Sequence, residues 1–406
     1  MPFLDPQSKE AFLREHSMLD GPPLSSEEVE WLATINFHHL MGYTRNFRAL
    51  VGRGIVNYPK KLEVVRGVIE AESRLGEFMT PWLRRAEWYL RSLTVENYCE
   101  LQGHGVGYLE SNNWVEHSAG SSEKLQASIV NSVLRHGEPY VSERIKQKAK
   151  RLGVNRHRKF EWNAREECIA FVEDLPLWAT IDSFSLGELG KFIMHCGIQP
   201  EGDDDVWRKI SHKLGITARN FDASLAGFGA IRNQLFHHQR VWMKPMSKSP
   251  GINNTLNRRY RDFAFKGKNK QAPFIALAMV SSFLPAQERE EFLNGLEEVI
   301  QKNPLFQLGI MSAPSLKGEA PECVARRLSR QLHAFALQHL ANGGEVRHVH
   351  FHVGGDDDGN LVLADEVREV IEVGGPTVGA PVDAAQGSKE VGSGADGFSD
   401  ENALHD

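Results

Sequence analysis

From about residue 26 to about residue 311, apolar side chains recur at intervals of three and four, and the period-two alternation of a half-buried strand is almost absent before residue 345. A chain patterned in this way buries helix stripes against one another, so the expectation is an all-α body of about 310 residues built as a helical bundle. PWLRRAEWYLRSLTVENYCEL is the clearest segment: Leu83, Ala86, Leu90, Leu93 and Leu101 form one stripe, and GHGVG at 103–107 ends it. WLATINFHHL and LEVVRGVIEAESRL read the same way. Ser25 and Glu28 have capping-box spacing, with Leu24 and Val29 placed for a hydrophobic staple, so a helix is expected to start at Ser26. Later helices are expected in SSEKLQASIVNSVL, AREECIAFVEDL, LGELGKFIMHC, VWRKISHKLG, the stretch 221–242, APFIALAMVSSFL and REEFLNGLEEVIQK.

Past Pro314 the character changes. One helix is expected in ECVARRLSRQLHAFALQHL, followed by EVRHVHFHV, the one clean alternating stretch, so residues 313–353 read as an appended helix and strand. His348, His350 and His352 share a face of that strand, but no cysteine or carboxylate clusters with them. They read as a polar face, and neither a metal nor another cofactor is called for. Residues 354–406 are rich in Gly, Asp, Ala and Ser with Phe398 as their one aromatic, a composition that cannot offset the entropy of ordering, so a disordered acidic tail is expected. The four cysteines are scattered and the N-terminal stretch lacks a signal-peptide core, which points to a reducing, cytoplasmic setting. The longest uncharged apolar run, Ala272 to Leu284, falls short of the roughly 20 residues a bilayer requires, so no membrane is expected and the run reads as a core helix.

The overall charge of −6 hides an asymmetry. Residues 354–406 hold 13 acids against Arg368 and Lys389, which leaves residues 1–353 at +5. Within that body, one basic run comprises Arg144, Lys146, Lys148, Lys150, Arg151, Arg156, Arg158 and Lys159. A second comprises Arg258, Arg259, Arg261, Lys266, Lys268 and Lys270, interleaved with Tyr260, Phe263 and Phe265. Taken singly, each run reads as a solvated face; together they also suit a phosphate backbone, with RNA as the partner.

The chemistry concentrates in IRNQLFHHQRVW, residues 231–242. On a helix, Leu225, Phe228, Ile231, Leu235 and Trp242 fall on one core-facing third, while Asn233, His237 and Arg240 lie opposite. Arg232 lies between the faces, ~140° round from His237, with a stem long enough to reach either. The bland reading of such a set is a capped histidine and a surface arginine. The chemical reading is metal-free RNA cleavage: a histidine moves the protons of the 2′-OH and the leaving 5′-oxygen, and an arginine stabilises the charged phosphorane. One helix supplies a single arginine, so a second copy across a two-fold axis would complete the site.

IRNQLFHHQRVW resembles the RN-x-x-x-HH-x-R-[LV]-W signature of the Abi-like family, abortive-infection proteins of AbiD/AbiF type. WLATINFHHLMGYTRNFRAL resembles the family's N-terminal helix ending in Gly-Tyr, LRRAEWYLRSLTVENYCELQGHGVGYL its Glu-x-x-x-Arg helix with a following Gly and Tyr-Leu, and LWATIDSFSLGELGKF its Trp…Ser-Phe-Gly-x-Leu-Ser segment. Leu186 and Gly190 depart from that last pattern and read as packing changes. The resemblance covers residues 24–312, with 1–23 as an N-terminal segment.

The family is assigned to the HEPN superfamily of helical-bundle ribonucleases, so the resemblance implies a HEPN-like bundle. It also implies Arg232, Asn233 and His237 as the catalytic set, with His238 as the alternative base and Glu87, Arg91 and Arg240 in support. It further implies a homodimer, RNA as substrate including structured non-coding RNA, and an antitoxin or other restraining partner. The expected activity is an endoribonuclease of phage defence or toxin–antitoxin type that leaves a 2′,3′-cyclic phosphate. A non-catalytic RNA- or protein-binding scaffold is the alternative. A DNA-binding regulator is a third reading, carried by the charge runs alone.

Overall fold

The computed structural model describes residues 5–110, 114–115, 121–153, 170, 172–196, 205–260, 271–311, 351–355 and 361–365. Its centre is one long helix. After α1 (Pro6–Glu15), α2 (Ser26–Thr34) and α3 (Phe37–Val51), the chain enters α4 (Leu62–Gln102), whose 41 residues span about 60 Å. Two segments that read separately in the sequence are thus one element. Pro81 removes an i→i−4 bond inside it. The buried stripe runs straight through, however, with Val68, Leu75, Met79, Leu83, Ala86, Leu90 and Leu93 all in the core, and packing outweighs the lost bond. Gly103, at φ 70°, ends the helix in the left-handed conformation, where the GHGVG stretch predicts a stop.

The remaining helices gather round α4. They are α5 (Ser121–His136), α6 (Pro139–Leu152), the short α7 (Leu177–Thr180), α8 (Leu186–His195), α9 (Val206–Leu214), α10 (Ala218–Phe236), α11 (Asn254–Arg259), α12 (Pro273–Met279), α13 (Arg289–Gln301) and α14 (Pro304–Met311). α3, α8, α9, α10, α13 and α14 all pack on α4. The expected cap on α2 forms in full: the Ser25 hydroxyl accepts from the Glu28 amide, and the Glu28 carboxylate accepts from the Ser25 amide at 2.8 Å. The apolar run from Ala272 is buried throughout, as α12 and a 3-10 turn over Val280–Phe283. The body is all-α, as its periodicity requires.

An antiparallel hairpin, β1 (Phe351–Gly355) with β2 (Leu361–Asp365), pairs Phe351 with Asp365 and Gly355 with Leu361. Its second strand lies beyond residue 354, inside the stretch that composition assigns to a disordered tail. The hydrogen bonds of the ladder are supplied by any backbone, so composition undercounts them. His352 is in β1, while His348, His350 and the helix expected at 322–340 lie outside the described residues. Residues 1–367 and 368–406 form separate units, the second outside the described residues.

Candidate functional site

α10 carries the polar cluster, but it ends six residues before the sequence pattern predicts. His237 is its C-cap, at φ −92° and ψ 12°, and His238 sits at φ 51°. The His238 amide donates to the Leu235 carbonyl at 3.0 Å and the Gln239 amide to the Gln234 carbonyl at 2.9 Å. This pair of bonds is a Schellman stop, usually built on glycine. Histidine is tolerated there at a cost, and with no glycine present the sequence carries no obvious stop signal. Phe228 and Ile231 are buried as expected, and Leu225 is nearly so. Leu235 is only partly buried, and Trp242 reaches the core from beyond the helix rather than from its apolar stripe. His238 is exposed.

Arg232 is held from three sides. Its Nε donates to Glu87 Oε2 of α4 at 3.3 Å, its Nη1 donates to Asn233 Oδ1 at 3.2 Å, and its guanidinium lies 4.6 Å from the Phe236 ring centre. Its partners are thus Glu87 on the long helix, its neighbour Asn233, and Phe236 one turn further on. Nη2 has no partner among the described residues, so the guanidinium keeps donors for an incoming phosphate. Asn233 and His237 are exposed, and the His237 imidazole has no hydrogen bond among the described residues. The His237 backbone amide still donates to Asn233 at 3.0 Å, which preserves the i, i+4 relation expected of the pair.

Glu87 joins Arg232 to Arg91. Its Oε1 accepts from Arg91 Nη1 at 2.7 Å, and Arg91 in turn donates through Nη2 to the Phe184 carbonyl at 2.9 Å and faces Asp182 at 3.6 Å. Arg91 is buried, so its i, i+4 pairing with Glu87 is far more than a surface pair. It ties the 181–184 turn, and with it the capped start of α8, to α4 beside the arginine of α10. Asp182 and Phe236 are members of this cluster that sequence reasoning missed, because neither stands at a spacing that marks it. Leu186 is buried, in keeping with a packing change, whereas a Cβ at Gly190 would meet no atom within 4 Å, so that departure alters no packing.

Arg240 behaves differently from Arg232. Expected on the polar face in support of the histidines, it turns inward instead: its Nε would stand 2.8 Å from a Cβ on Gly42, its guanidinium lies 5.9 Å from the Tyr43 ring, and its Nη1 donates to the Trp242 carbonyl at 2.8 Å. Glu72 accepts from the Val241 and Trp242 amides at 2.7 and 2.8 Å. Burial raises its carboxyl above the ordinary value, against the pull of those amides. Trp242 is fully buried, stacked with Tyr43 and donating to the Leu305 carbonyl at 3.0 Å. A Cβ on Gly309 would lie 2.0 Å from its indole nitrogen, so only glycine admits the ring. The signature therefore divides into a part that leaves Asn233, His237 and His238 exposed and an anchor, 240–242, turned into the core.

The basic runs are less available than their composition implies. Lys148 is buried between Glu173 and Asp174, at 2.8 and 3.0 Å, and the buried Arg259 side chain bonds Glu290, Glu297 and Asn294. Both are structural ion pairs rather than phosphate contacts. Lys146 pairs with Glu143 at 3.2 Å on the surface, and Arg144 lies over the exposed Tyr140 ring. Lys150, Arg151 and Arg258 are exposed. Arg156, Arg158, Lys159, Arg261, Lys266, Lys268 and Lys270 lie outside the described residues. Among the described residues no group of three His, Cys, Asp or Glu side chains is arranged to hold a metal, and no helix is long and apolar enough to cross a membrane.

Three stretches far apart in sequence thus gather round α10 and the turn after it: Gly42–Tyr43 under Arg240, Glu87 against Arg232, and the 181–184 turn joined to them through Arg91. No curated protein and no solved structure matches the chain. The family described as Abi-like protein matches residues 30–243, just over half the chain and all of these stretches, and the chain belongs to that family.

Proposed function

We propose that the protein is a metal-independent endoribonuclease acting in abortive infection, the role that membership of its family suggests. The observation that carries this reading is the end of α10, where Arg232, fixed by Glu87 and Asn233, stands five residues before an exposed His237. His237 takes the proton of a ribose 2′-OH, which attacks the adjacent phosphorus. The bond from phosphorus to the 5′-oxygen breaks, leaving a 2′,3′-cyclic phosphate on one product and, once the oxygen is protonated, a 5′-OH on the other. Arg232 neutralises the charge gathering on the non-bridging oxygens. DNA, lacking the 2′-OH, is not cut. A second copy of the chain supplies the acid for the leaving oxygen, so the working unit is a dimer.

The test is incubation of the purified full-length chain with RNA in EDTA, followed by analysis of the new ends. Cyclic phosphate ends that appear with the wild type and are lost with His237→Ala support cleavage by this site. Cleavage that EDTA stops, or that His237→Ala retains, rejects it, and RNA binding without cutting leaves a scaffold in its place.

A further inference from the structure

Beside the end of α10, between α3 and α4, lies a cavity of about 360 Å³ whose lining shares Tyr43 and Glu72 with the anchor. We propose that it is a base pocket, receiving one nucleobase of the RNA strand next to the bond that is cut. The inference rests on the cleavage reading above and adds where the substrate is recognised. Its volume lies at the small end of the roughly 300–1,000 Å³ of ligand pockets, which suits a single nucleoside. His238 and Gln239 form part of its wall, so an occupant sits one residue from His237.

Single-stranded RNA is read by stacking splayed bases on flat side chains and bonding their edges, and the lining supplies both. His39, half-buried and 5.1 Å from the Tyr43 ring, offers a flat face. Burial, with Arg240 nearby, lowers its pKa and so favours the neutral ring. Glu77 and Thr80 are exposed at the rim, and the Gln239 carbonyl accepts from Lys244 at 2.8 Å, which leaves its amide to donate. A lining that holds both a carboxylate and an amide donor suits a base that presents N–H groups and an acceptor on one edge, as guanine does.

Gly76 gives the cavity its depth. It lines the space, and a Cβ there would meet no atom within 4 Å. A larger residue would project into the cavity while improving the helix propensity of α4.

The decisive experiment titrates AMP, GMP, CMP and UMP separately into the full-length wild type and into Gly76→Leu by calorimetry, with melting temperatures as a check on folding. GMP is expected to bind the wild type, and Gly76→Leu to bind it at least tenfold more weakly without melting earlier. Glu77→Gln, at the rim, is expected to weaken GMP severalfold. In parallel, cut positions are mapped on a random-sequence single-stranded RNA pool: wild-type cuts are expected to favour one base beside the cut, and Gly76→Leu to lose that preference. If none of the four nucleotides binds, or if the folded Gly76→Leu binds them as well as the wild type, the pocket proposal is overturned even where cleavage by His237 stands. Should the protein cut no RNA at all, the cleavage reading falls and the titration alone still decides the pocket.

Discussion

Arg232 and Arg240 stand in one short signature and have opposite fates. Arg232 reaches over a polar surface with a nitrogen to spare; Arg240 is folded onto Gly42 and Tyr43. Arg232→Ala and His237→Ala are each expected to lower the cleavage rate by ~10²–10⁴-fold while leaving the melting temperature within a degree or two, since neither side chain is in the core. Arg240→Ala is expected to do the reverse in kind, losing packing and the bond to the Trp242 carbonyl at a cost of about 1–3 kcal/mol in denaturant unfolding. A second prediction concerns His39, whose folded pKa lies below its unfolded value of about 6.5. Its contribution to stability is full above that value and is lost as pH falls toward the folded pKa, because the unfolded chain takes up the proton first. Between pH 7 and pH 5, His39→Gln is therefore expected to lose less melting temperature than the wild type; an equal loss would remove the burial argument. Resemblance to the family signature, rather than spacing alone, singled out Arg232, Asn233 and His237. It could not separate the two arginines, because the feature that captures Arg240 is a gap at Gly42, about 200 residues away in the chain.

At the scale of elements, the three- and four-residue spacing of apolar side chains located the helices, and the Ser25–Glu28 pair located one start to the residue. Two boundaries escaped. α4 continues through Pro81 because the core stripe on either side holds it, an effect of packing that local propensity does not contain. α10 stops at a histidine in a conformation that a glycine would ordinarily announce. His238→Gly should relieve that conformation and raise stability by about 1 kcal/mol, measured by denaturant unfolding, while removing a wall of the cavity beside His237. A destabilised His238→Gly would mean that the imidazole holds the turn through contacts stronger than the strain. Leu235→Ala is expected to cost less than the ~2–5 kcal/mol of a full core truncation, because Leu235 is only partly buried and borders the cavity.

For the whole molecule, helical class followed from periodicity, whereas the gathering of three distant stretches round α10 and the turn after it is a property of tertiary packing that no spacing along the chain encodes. Charge is the exception, since its long reach makes composition informative. Residues 368–406 carry eight acids against Arg368 and Lys389. Ending the chain at Val367 is expected to leave the melting temperature unchanged and to tighten RNA binding at low salt, with the difference shrinking as salt screens it. Equal affinity for the two chains in filter binding at low salt would show that the acidic stretch does not compete for the basic body.

The short bridge from His237 to Gln239 is tethered at both ends, by α10 on one side and by the buried Trp242 on the other, with its own amides spent in the helix stop. Its side chains face solvent, yet its backbone protons are closed to it. Amide hydrogen exchange at His238 and Gln239 should accordingly be as slow as in the last turn of α10 and far slower than in an open loop, because those protons escape only when the helix end unwinds. The entropy of ordering the backbone that carries His237 is in that case met during folding, before any strand arrives.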